Sequence, residues 1–249
     1  MLIQSTIDGL NSLKLFGMIK SLESQMDNPD SNSLCFEERL GLLVDNELTT
    51  RENKRLQSRL RLAKLAEPAS IEELDFKGNR GIDRATLVSL TTSDWIRRHQ
   101  NIIIDGKTGV GKSYLACALA QKACRDGFSV YFERASRLFQ ELAIARADGR
   151  YSKLITSIAR KDLLIIDDFA LFALNAEQRQ DLLEIVEDRY STRSTIITTQ
   201  IDVEHWHQII GEPTIADAIL DRVVHNCHKV HLKGGSRRKD EAKAMELVG

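Results

Sequence analysis

The chain has 249 residues, enough for one large domain or for a core domain with a smaller second one. Hydrophobic residues make up 42% and charged residues 29%, and the net charge of −1 excludes a whole-chain attraction to DNA or to a membrane surface. The four cysteines form no CxxC pair, and no stretch approaches the ~18 apolar residues of a membrane span. We therefore expect a cytoplasmic protein with reduced thiols, no membrane partner and no signal peptide.

Residues 1–66 are predicted to form an all-helical domain. Leu40, Leu43, Val44 and Leu48 recur at helical spacing, which is typical of an amphipathic helix. The sequence alone leaves open whether the first ~45 residues contact DNA, another protein or a neighbouring copy of the chain.

The end of this helical region is strongly basic. Arg51, Arg55 and Arg59 are four residues apart, so one helix face is continuously basic, and Glu52 is the single acid between residues 51 and 64. Such a face suits contacts with nucleic-acid phosphates, and a solvated helix surface is the alternative. The candidate DNA-binding residues are Arg51, Lys54, Arg55, Arg59, Arg61 and Lys64.

Residues 67–81 are predicted to form a linker, because Pro68 interrupts the helical pattern and residues 75–81 have the composition of a loop. Through residues 82–249, short apolar runs then alternate with helix-like segments. A parallel sheet with helices on both faces requires this pattern, so we expect an α/β fold. The predicted strands are Ile102–Ile104, Val130–Glu133, Leu163–Asp167, Ser194–Thr199 and Val230–Leu232.

The segment Gly106–Ser113 fits the pattern G-x-x-x-x-G-K-[ST] of a phosphate-binding loop. It follows the apolar run Ile102–Ile104 and precedes a segment rich in Ala and Leu, as the strand and helix of such a motif should. Its backbone N–H groups and the helix N-terminus favour phosphate, while Lys112 reaches the β- and γ-phosphates and the Ser113 hydroxyl holds Mg²⁺. The candidate ATP-binding residues are Gly106, Lys107, Thr108, Gly109, Val110, Gly111, Lys112, Ser113 and Tyr114.

A second apolar strand supplies the acids that such a loop needs. Leu163–Ile166 is followed directly by Asp167 and Asp168, which places both carboxylates at the carboxyl end of the strand, where ligands bind in open α/β sheets. Asp167 is therefore the predicted second Mg²⁺ ligand. Asp168 is the predicted catalytic residue that orients an attacking water.

Two further polar features lie beyond these motifs. The strand Ser194–Thr199 ends in polar groups, so Thr199 or Gln200 is a candidate sensor of the γ-phosphate, and a simple polar strand cap is the alternative. Arg222 follows Asp221 on a helix, and an arginine placed against a neighbour's γ-phosphate would complete the site only in an assembly. An ion pair between Arg222 and Asp221 is the alternative.

Together these motifs resemble the AAA+ ATPases of the DnaC/IstB branch. The resemblance to the IstB transposition helpers of bacterial insertion sequences covers about residues 50–242. The motifs shared with the wider branch are Gly106–Ser113, Asp167-Asp168, Thr198–Gln200 and Ala216–Arg222. The resemblance to the IstB helpers extends beyond them to the segments Gly81–Ala85, Val203–His207, Gly211–Thr214 and Gly234–Lys239.

The resemblance implies an AAA+ parallel sheet with a central phosphate-loop strand, and ATP-driven homo-oligomers that bend double-stranded DNA with little sequence preference. It also implies that the DNA-bound oligomer recruits and stimulates a partner transposase. It places Thr199 or Gln200 at the sensor position, Arg222 at the finger position and Arg238 at a second phosphate contact. Asp168 stands where many AAA+ proteins carry Glu, so slow hydrolysis of Mg²⁺-ATP is expected, and the 17 residues after Leu232 are too few for a helical lid.

Two other functions use the same loop. A replicative helicase loader would share the ATP site, with its N-terminal region bound to a helicase. A small-molecule kinase is permitted by the loop alone, but no acceptor-binding motif is evident and the paired acids Asp167 and Asp168 suit water as the acceptor. The transposition helper, associated with the bacterial nucleoid when bound to DNA, is the function that we expect.

Overall fold

The computed structural model of the protein describes residues 2–74, 81–82 and 84–235. The chain divides into two compact units, Met1–Ser58 and Arg59–Gly249. Residues 59–66, predicted as the end of the helical domain, belong to the second unit. Most of the predicted loop at residues 75–81 lies outside the described residues.

Helices make up most of the first unit: α1, Leu2–Ser12; α2, Phe16–Asp27; and the larger part of α3, Phe36–Ala63. At Gly17 the two helices α2 and α3 meet so closely that a Cβ would lie 2.6 Å from the backbone oxygen of Asn46. The Glu47 carboxylate accepts hydrogen bonds from the backbone N–H groups of Gly17 (2.6 Å) and Met18 (3.2 Å). Because the first N–H groups of a helix have no partner within it, Glu47 caps α2 and joins it to α3.

The second unit is built on a five-stranded parallel sheet with the strand order β2-β3-β4-β1-β5. Its strands are β1, Asn101–Gly106; β2, Val130–Arg134; β3, Leu163–Phe169; β4, Ser194–Thr199; and β5, Cys227–Leu232. All five predicted strands are confirmed. β5 begins three residues earlier than predicted, because it is an edge strand and its polar residues His228 and Lys229 conceal the strand pattern.

Helices alternate with the strands and cover the sheet. The helices are α4, Arg84–Thr91; α5, Asp94–Arg97; α6, Lys112–Arg125; α7, Ala135–Ala147; α8, Tyr151–Ala159; α9, Ala176–Arg189; α10, Trp206–Ile210; and α11, Pro213–Val224. Ile103, Ile166 and Ile197 share one apolar core with residues of α7 to α11. The intervening residues Ile102 and Ile104 are equally buried, so both faces of the sheet are covered. No helix in the described part of the chain has the length and apolar character needed to cross a membrane.

One buried arginine fixes the amino ends of β3 and β4. Arg189, at the end of α9, is 2% exposed and donates hydrogen bonds to the backbone oxygens of Ile158 (3.0 Å) and Lys161 (2.8 Å) and to the Thr195 hydroxyl (3.1 Å). Burial lowers the pKa of Arg189 to about 9. The guanidinium thus stays charged at neutral pH. It holds the amino ends of these strands, and the candidate site lies at the carboxyl ends.

Candidate functional site

A pocket of about 310 Å³ opens at the carboxyl edge of the sheet, where the loops that follow β1, β3 and β4 meet. Most of its lining residues are ones that the sequence predicts, namely Thr108, Gly109, Gly111, Lys112, Ser113, Tyr114, Asp167, Asp168 and Gln200. The structure therefore brings the phosphate loop, both acids and one candidate sensor to a single place.

Three glycines of the phosphate loop, Gly106, Gly109 and Gly111, have positive φ angles, which glycine adopts far more readily than other residues. Gly106 has φ +147°, and a Cβ there would overlap the backbone oxygen of Leu232 on β5. Gly111 has φ +101° and caps the N-terminus of α6. A side chain at Gly106 would collide with the backbone of β5, and one at Gly111 would strain the backbone at the start of α6, so either would disturb the N–H groups that meet phosphate oxygens.

Lys112 begins α6 and lies beneath the loop, with 5% of its surface exposed. Its ammonium donates hydrogen bonds to the backbone oxygens of Gly106 (2.8 Å) and Lys107 (3.0 Å). Burial lowers the pKa of Lys112, against the opposing attraction of Asp168 and Asp167. Because the two carbonyl groups do not neutralise its charge, an anion in the loop gains a charge-assisted hydrogen bond from Lys112.

Asp167 is 1% exposed and is the centre of a hydrogen-bond network. Its Oδ1 atom accepts hydrogen bonds from the hydroxyl groups of Ser113 (2.8 Å) and Thr198 (2.6 Å). The Thr198 hydroxyl in turn accepts the backbone N–H of Asp168 at 2.9 Å. A buried carboxylate needs such partners, and the network fixes the acid beside the Ser113 hydroxyl, as a shared metal site requires.

The backbone of β3 bends immediately after Asp167. Asp168 has φ +54°, and the pairing of β3 with β4 shifts register between Ile166 and Phe169. This left-handed conformation separates two adjacent acids into different surroundings: Asp167 is buried in the hydrogen-bond network, and Asp168 is half-buried in the pocket lining.

The two candidate sensors have different surroundings. Gln200 lines the pocket and accepts a hydrogen bond from the hydroxyl of Thr108 at 2.5 Å. Thr199 is fully buried, and its hydroxyl is hydrogen-bonded to the backbone of Ile201, with both distances 3.1 Å. Arg238, the third candidate, lies outside the described residues.

Arg222 lies at the amino ends of the strands, whereas the pocket lies at their carboxyl ends. The Asn101 amide, at the start of β1, donates a hydrogen bond to the backbone oxygen of Arg222 (3.3 Å), whereas the phosphate loop begins at the other end of β1. At about 3.3 Å per residue, the length of β1 separates Arg222 from its own phosphate loop. The Arg222 guanidinium pairs with Glu187 of α9 (3.0 Å) and not with Asp221, the acid of the predicted alternative.

The predicted basic face is only partly available. Arg51 pairs with Glu47 at 2.6 Å, one turn before the basic stretch, and half-buried Arg59 donates to the backbone oxygen of Cys124 at 2.8 Å. The remaining four candidates have exposed side chains and form no ion pair within the described parts of the chain. They are Lys54, Arg55, Arg61 and Lys64.

Three residues that line the pocket were not predicted from the sequence as site residues: Ala66, Glu67 and Arg134. Ala66 and Glu67 follow the end of α3. The segment after α3 is fixed to α6 by a hydrogen bond from the Tyr114 hydroxyl to Glu73 (3.0 Å). Arg134 is the last residue of β2, and its signal resembled that of Asp167: a polar residue at the carboxyl end of a strand that begins with apolar residues.

The sequence model of the family described as IstB-like ATP binding protein matches residues 9–244. The chain belongs to this family. It is 50% identical over 241 residues to an insertion sequence ATP-binding protein of Sinorhizobium fredii, covering 97% of this chain and 98% of the relative. An insertion sequence ATP-binding protein of Mycobacterium tuberculosis is 32% identical, over 93% of this chain and 92% of its own.

Solved structures similar to this IstB-like protein show its fold. The structure of DnaI matches with a TM-score of 0.59 and 20% identity, over 72% of this chain and all of DnaI. The DnaC helicase loader matches with a TM-score of 0.52 and 20% identity, over 69% of this chain and 97% of DnaC. The predicted AAA+ fold is therefore confirmed. The phosphate-loop strand β1 is not the central strand that was expected: it lies between β4 and the edge strand β5, and β4 is the middle strand of the described sheet.

The residues of this IstB-like protein fit a magnesium nucleotide. Gly109 and Gly111, whose φ angles are positive, line the pocket without a side chain, and Lys112 offers an ammonium that no carboxylate contacts within the described residues. Ser113 and Asp167 place two oxygen ligands 2.8 Å apart, and oxygen is the ligand that Mg²⁺ prefers.

Proposed function

We propose that this protein is an ATP-dependent helper of insertion-sequence transposition that assembles on target DNA, bends it, and recruits and stimulates the partner transposase. The observation that carries this proposal is the similarity, over nearly the whole chain, to proteins named as ATP-binding proteins of insertion sequences. The pocket described above supplies the nucleotide site that this function needs.

ATP would be held by the loop Gly106–Ser113, with Lys112 at its β- and γ-phosphates. Ser113 and Asp167 would hold Mg²⁺, which neutralises charge on the phosphate oxygens when bound. Asp168, half-buried in the pocket, orients the attacking water. Its side chain is one methylene shorter than the usual glutamate, so we expect slow hydrolysis that DNA or the partner accelerates.

The nucleotide would also control assembly. Arg222 lies at the far edge of the sheet from its own loop, so within one subunit it is too distant to contact the bound phosphates. In a homo-oligomer it would contact the nucleotide of the neighbouring subunit, and ATP would then couple each subunit to the next. This requires Arg222 to leave Glu187, its partner within the chain.

DNA contact would come from the exposed basic residues Lys54, Arg55, Arg61 and Lys64. Each subunit would add a few phosphate contacts, so binding is cooperative, sensitive to salt and nearly independent of sequence. Smooth bending of a ~20–30 bp segment by ~40–90° costs about 1–6 kcal/mol, which several subunits together offset without base-specific contacts.

A replicative helicase loader remains the second candidate function, because the fold resembles those of DnaI and the DnaC helicase loader. At 20% identity this resemblance concerns the fold alone, whereas the insertion-sequence relatives match over almost the full chain. Parallel pull-downs with a replicative helicase and with the transposase separate the two functions, and capture of the helicase alone favours the loader.

Analytical sedimentation with duplex DNA tests the proposal directly. We expect large protein–DNA complexes with a non-hydrolysable ATP analogue and small ones with ADP or without nucleotide. Imaging of the complexes should show bent DNA, and added transposase should cosediment. Complexes that form equally well without nucleotide, or straight DNA within them, would contradict an ATP-controlled assembly that bends its target.

A further inference from the structure

Arg134 is a pocket residue that the proposed function leaves without a role. It ends β2 and pairs in register with Asp167 of β3, so its Cα lies at the carboxyl edge beside the acids. Neighbouring strands are about 4.8 Å apart, a distance that an arginine side chain spans. The side chain accordingly lines the same pocket as Lys112, Ser113 and Asp168.

The charge of Arg134 has no ion-pair partner among the described residues. Within the described part of the chain, no carboxylate oxygen lies within 4 Å of its guanidinium nitrogens, and the neighbouring Glu133 instead lies 3.9 Å from Arg137. Lys112 and Arg134 are the two cationic side chains among the described lining residues. Of these, Lys112 lies beneath the loop that follows β1, and Arg134 lies on the β2 side of the acids.

Lys112 and Arg134 therefore place positive charge on opposite sides of the acids Asp167 and Asp168. If the phosphates of a nucleotide begin at the loop after β1 and extend toward Asp167 and Asp168, the last phosphate of a triphosphate would lie nearer to β2 than the last phosphate of a diphosphate. A guanidinium beside the acids would therefore reach the triphosphate and not the diphosphate.

We propose that Arg134 binds the γ-phosphate of ATP held by its own subunit and thereby makes the pocket prefer ATP to ADP. This inference rests on the proposed nucleotide site and adds a specificity-determining residue to it. Each nucleotide would then be contacted by Arg134 of the subunit that binds it and by Arg222 of the neighbouring subunit. Arg134 would distinguish ATP from ADP, and Arg222 would join the two subunits.

Fluorescent nucleotide binding, without DNA and at protein concentrations too low for assembly, tests the inference. The probes are the magnesium complexes of labelled ADP and of a labelled non-hydrolysable ATP analogue. Hydrogen bonds to charged groups contribute about 1.5–3 kcal/mol, so Arg134→Ala should lower the triphosphate-to-diphosphate affinity ratio by about 10-fold to 100-fold. ADP affinity should change less than about 2-fold, and Arg134→Lys should keep part of the preference.

Arg137→Ala is the matched control, because Arg137 lies one turn further along, is exposed and does not line the pocket. It should leave the affinity ratio unchanged. In a separate measurement, at a concentration at which the wild-type protein assembles, Arg134→Ala is mixed with an excess of Lys112→Ala protein, which carries an intact Arg134 but a damaged loop, and this mixture should restore nothing. Restoration would show that Arg134 acts on a neighbour and would overturn the inference.

An unchanged ratio in Arg134→Ala, or an equal fall for both nucleotides, also overturns it. So does an Arg134→Ala variant whose only defect is a smaller salt dependence of DNA binding, since Arg134 would then contact DNA. The proposed function is judged separately by sedimentation of the wild-type protein with DNA. If the wild-type protein assembles on DNA but Arg134→Ala leaves the triphosphate-to-diphosphate affinity ratio unchanged, only the inference is rejected. If Arg134→Ala lowers that ratio but the wild-type protein does not assemble on DNA, only the transposition helper is rejected.

Discussion

The hydroxyl of Thr198 lies 2.6 Å from Oδ1 of Asp167 and joins β4 to the acid that ends the apolar part of β3. The same hydroxyl accepts the backbone N–H of Asp168. One side chain therefore positions both acids of the site, although it lies below the pocket lining and is fully buried.

Thr198→Val should separate this positioning role from simple packing. The substitution keeps the shape of the side chain but leaves buried polar groups without a partner, so the free energy of unfolding should fall by about 1–3 kcal/mol. Nucleotide affinity in the presence of Mg²⁺ should fall as well, because Asp167 loses its orientation. Chemical denaturation and nucleotide titration with and without Mg²⁺ measure the two effects.

Thr199→Val is the control for that experiment. Its hydroxyl is equally buried but is bonded to Ile201, away from the pocket. We expect a comparable loss of stability with nucleotide affinity preserved. If Thr199→Val impaired Mg²⁺-dependent binding as strongly as Thr198→Val, the assignment of the positioning role to Thr198 would be wrong.

The lowered pKa of Lys112 predicts a pH dependence of nucleotide binding. In the folded protein the ammonium loses its proton at a lower pH than in the unfolded chain, where the pKa keeps its usual value of 10.5. As pH rises through the lowered pKa, affinity for nucleotide should fall. Over the same window the unfolded state binds more protons, so the contribution of Lys112 to the free energy of unfolding rises with pH.

Lys112→Met isolates this contribution. The difference between the unfolding free energies of wild type and variant, followed across the alkaline range without nucleotide, should change in the direction just given. The variant should bind nucleotide at least about 100-fold more weakly at neutral pH. A wild-type affinity that stayed constant up to the pH of free lysine would count against a buried ammonium in this role.

The ion pair between Arg222 and Glu187 predicts opposite effects for its two partners. Arg222→Ala should bind nucleotide normally at low concentration but fail to assemble on DNA. Glu187→Gln should assemble at lower protein concentration, because the guanidinium no longer exchanges one partner for another. The pair is partly exposed and contributes at most about 1 kcal/mol, so both variants should remain folded.

Sedimentation across a concentration series distinguishes these outcomes. Normal assembly and ATP hydrolysis by Arg222→Ala would rule out a role for this arginine between subunits. A Glu187→Gln variant that assembled less readily than the wild type would indicate that the ion pair itself supports the assembled state.

The exposed part of the basic helix predicts a change in the salt dependence of DNA binding. Removing one cation that binds a phosphate should reduce the slope of log affinity against log salt by about 0.9, so replacing both Lys54 and Arg55 with Gln should reduce it by up to about 2. Lys14 and Lys20, exposed cations in the same unit, provide a matched pair whose replacement should leave the slope unchanged. Equal slopes for both double variants would place the DNA-binding surface elsewhere.

The sequence predicted the strands and the central site residues because their signals are local. Each strand is an apolar run, and Lys112, Ser113 and Asp167 have positions fixed by the motif around them. Partners that the fold brings together from distant segments gave no such signal. The pairing of Arg222 with Glu187 arises because α9 and α11 lie side by side.

Thr198 and Arg134 are instructive for a different reason. Both did have a local signal, a polar residue within or directly after an apolar strand, but that signal did not show how each side chain would be used. Thr199 and Gln200 were considered as sensors, yet the bulge in β3 leaves both Asp167 and Asp168 opposite Thr198, between the pairs Ile166–Ile197 and Phe169–Thr199. Register shifts of this kind depend on the pairing of strands and are not visible in one strand alone.

The close approach of Gly106 to the backbone of Leu232 has a consequence for how the protein can be altered. The phosphate loop rests on a residue 126 positions later in the chain, at the end of the sheet's edge strand. Changes made near the end of β5, such as a deletion, an inserted residue or an attached tag, should therefore change the conformation of the phosphate loop. The shape of that loop depends on two distant stretches of sequence, and neither can be redesigned without the other.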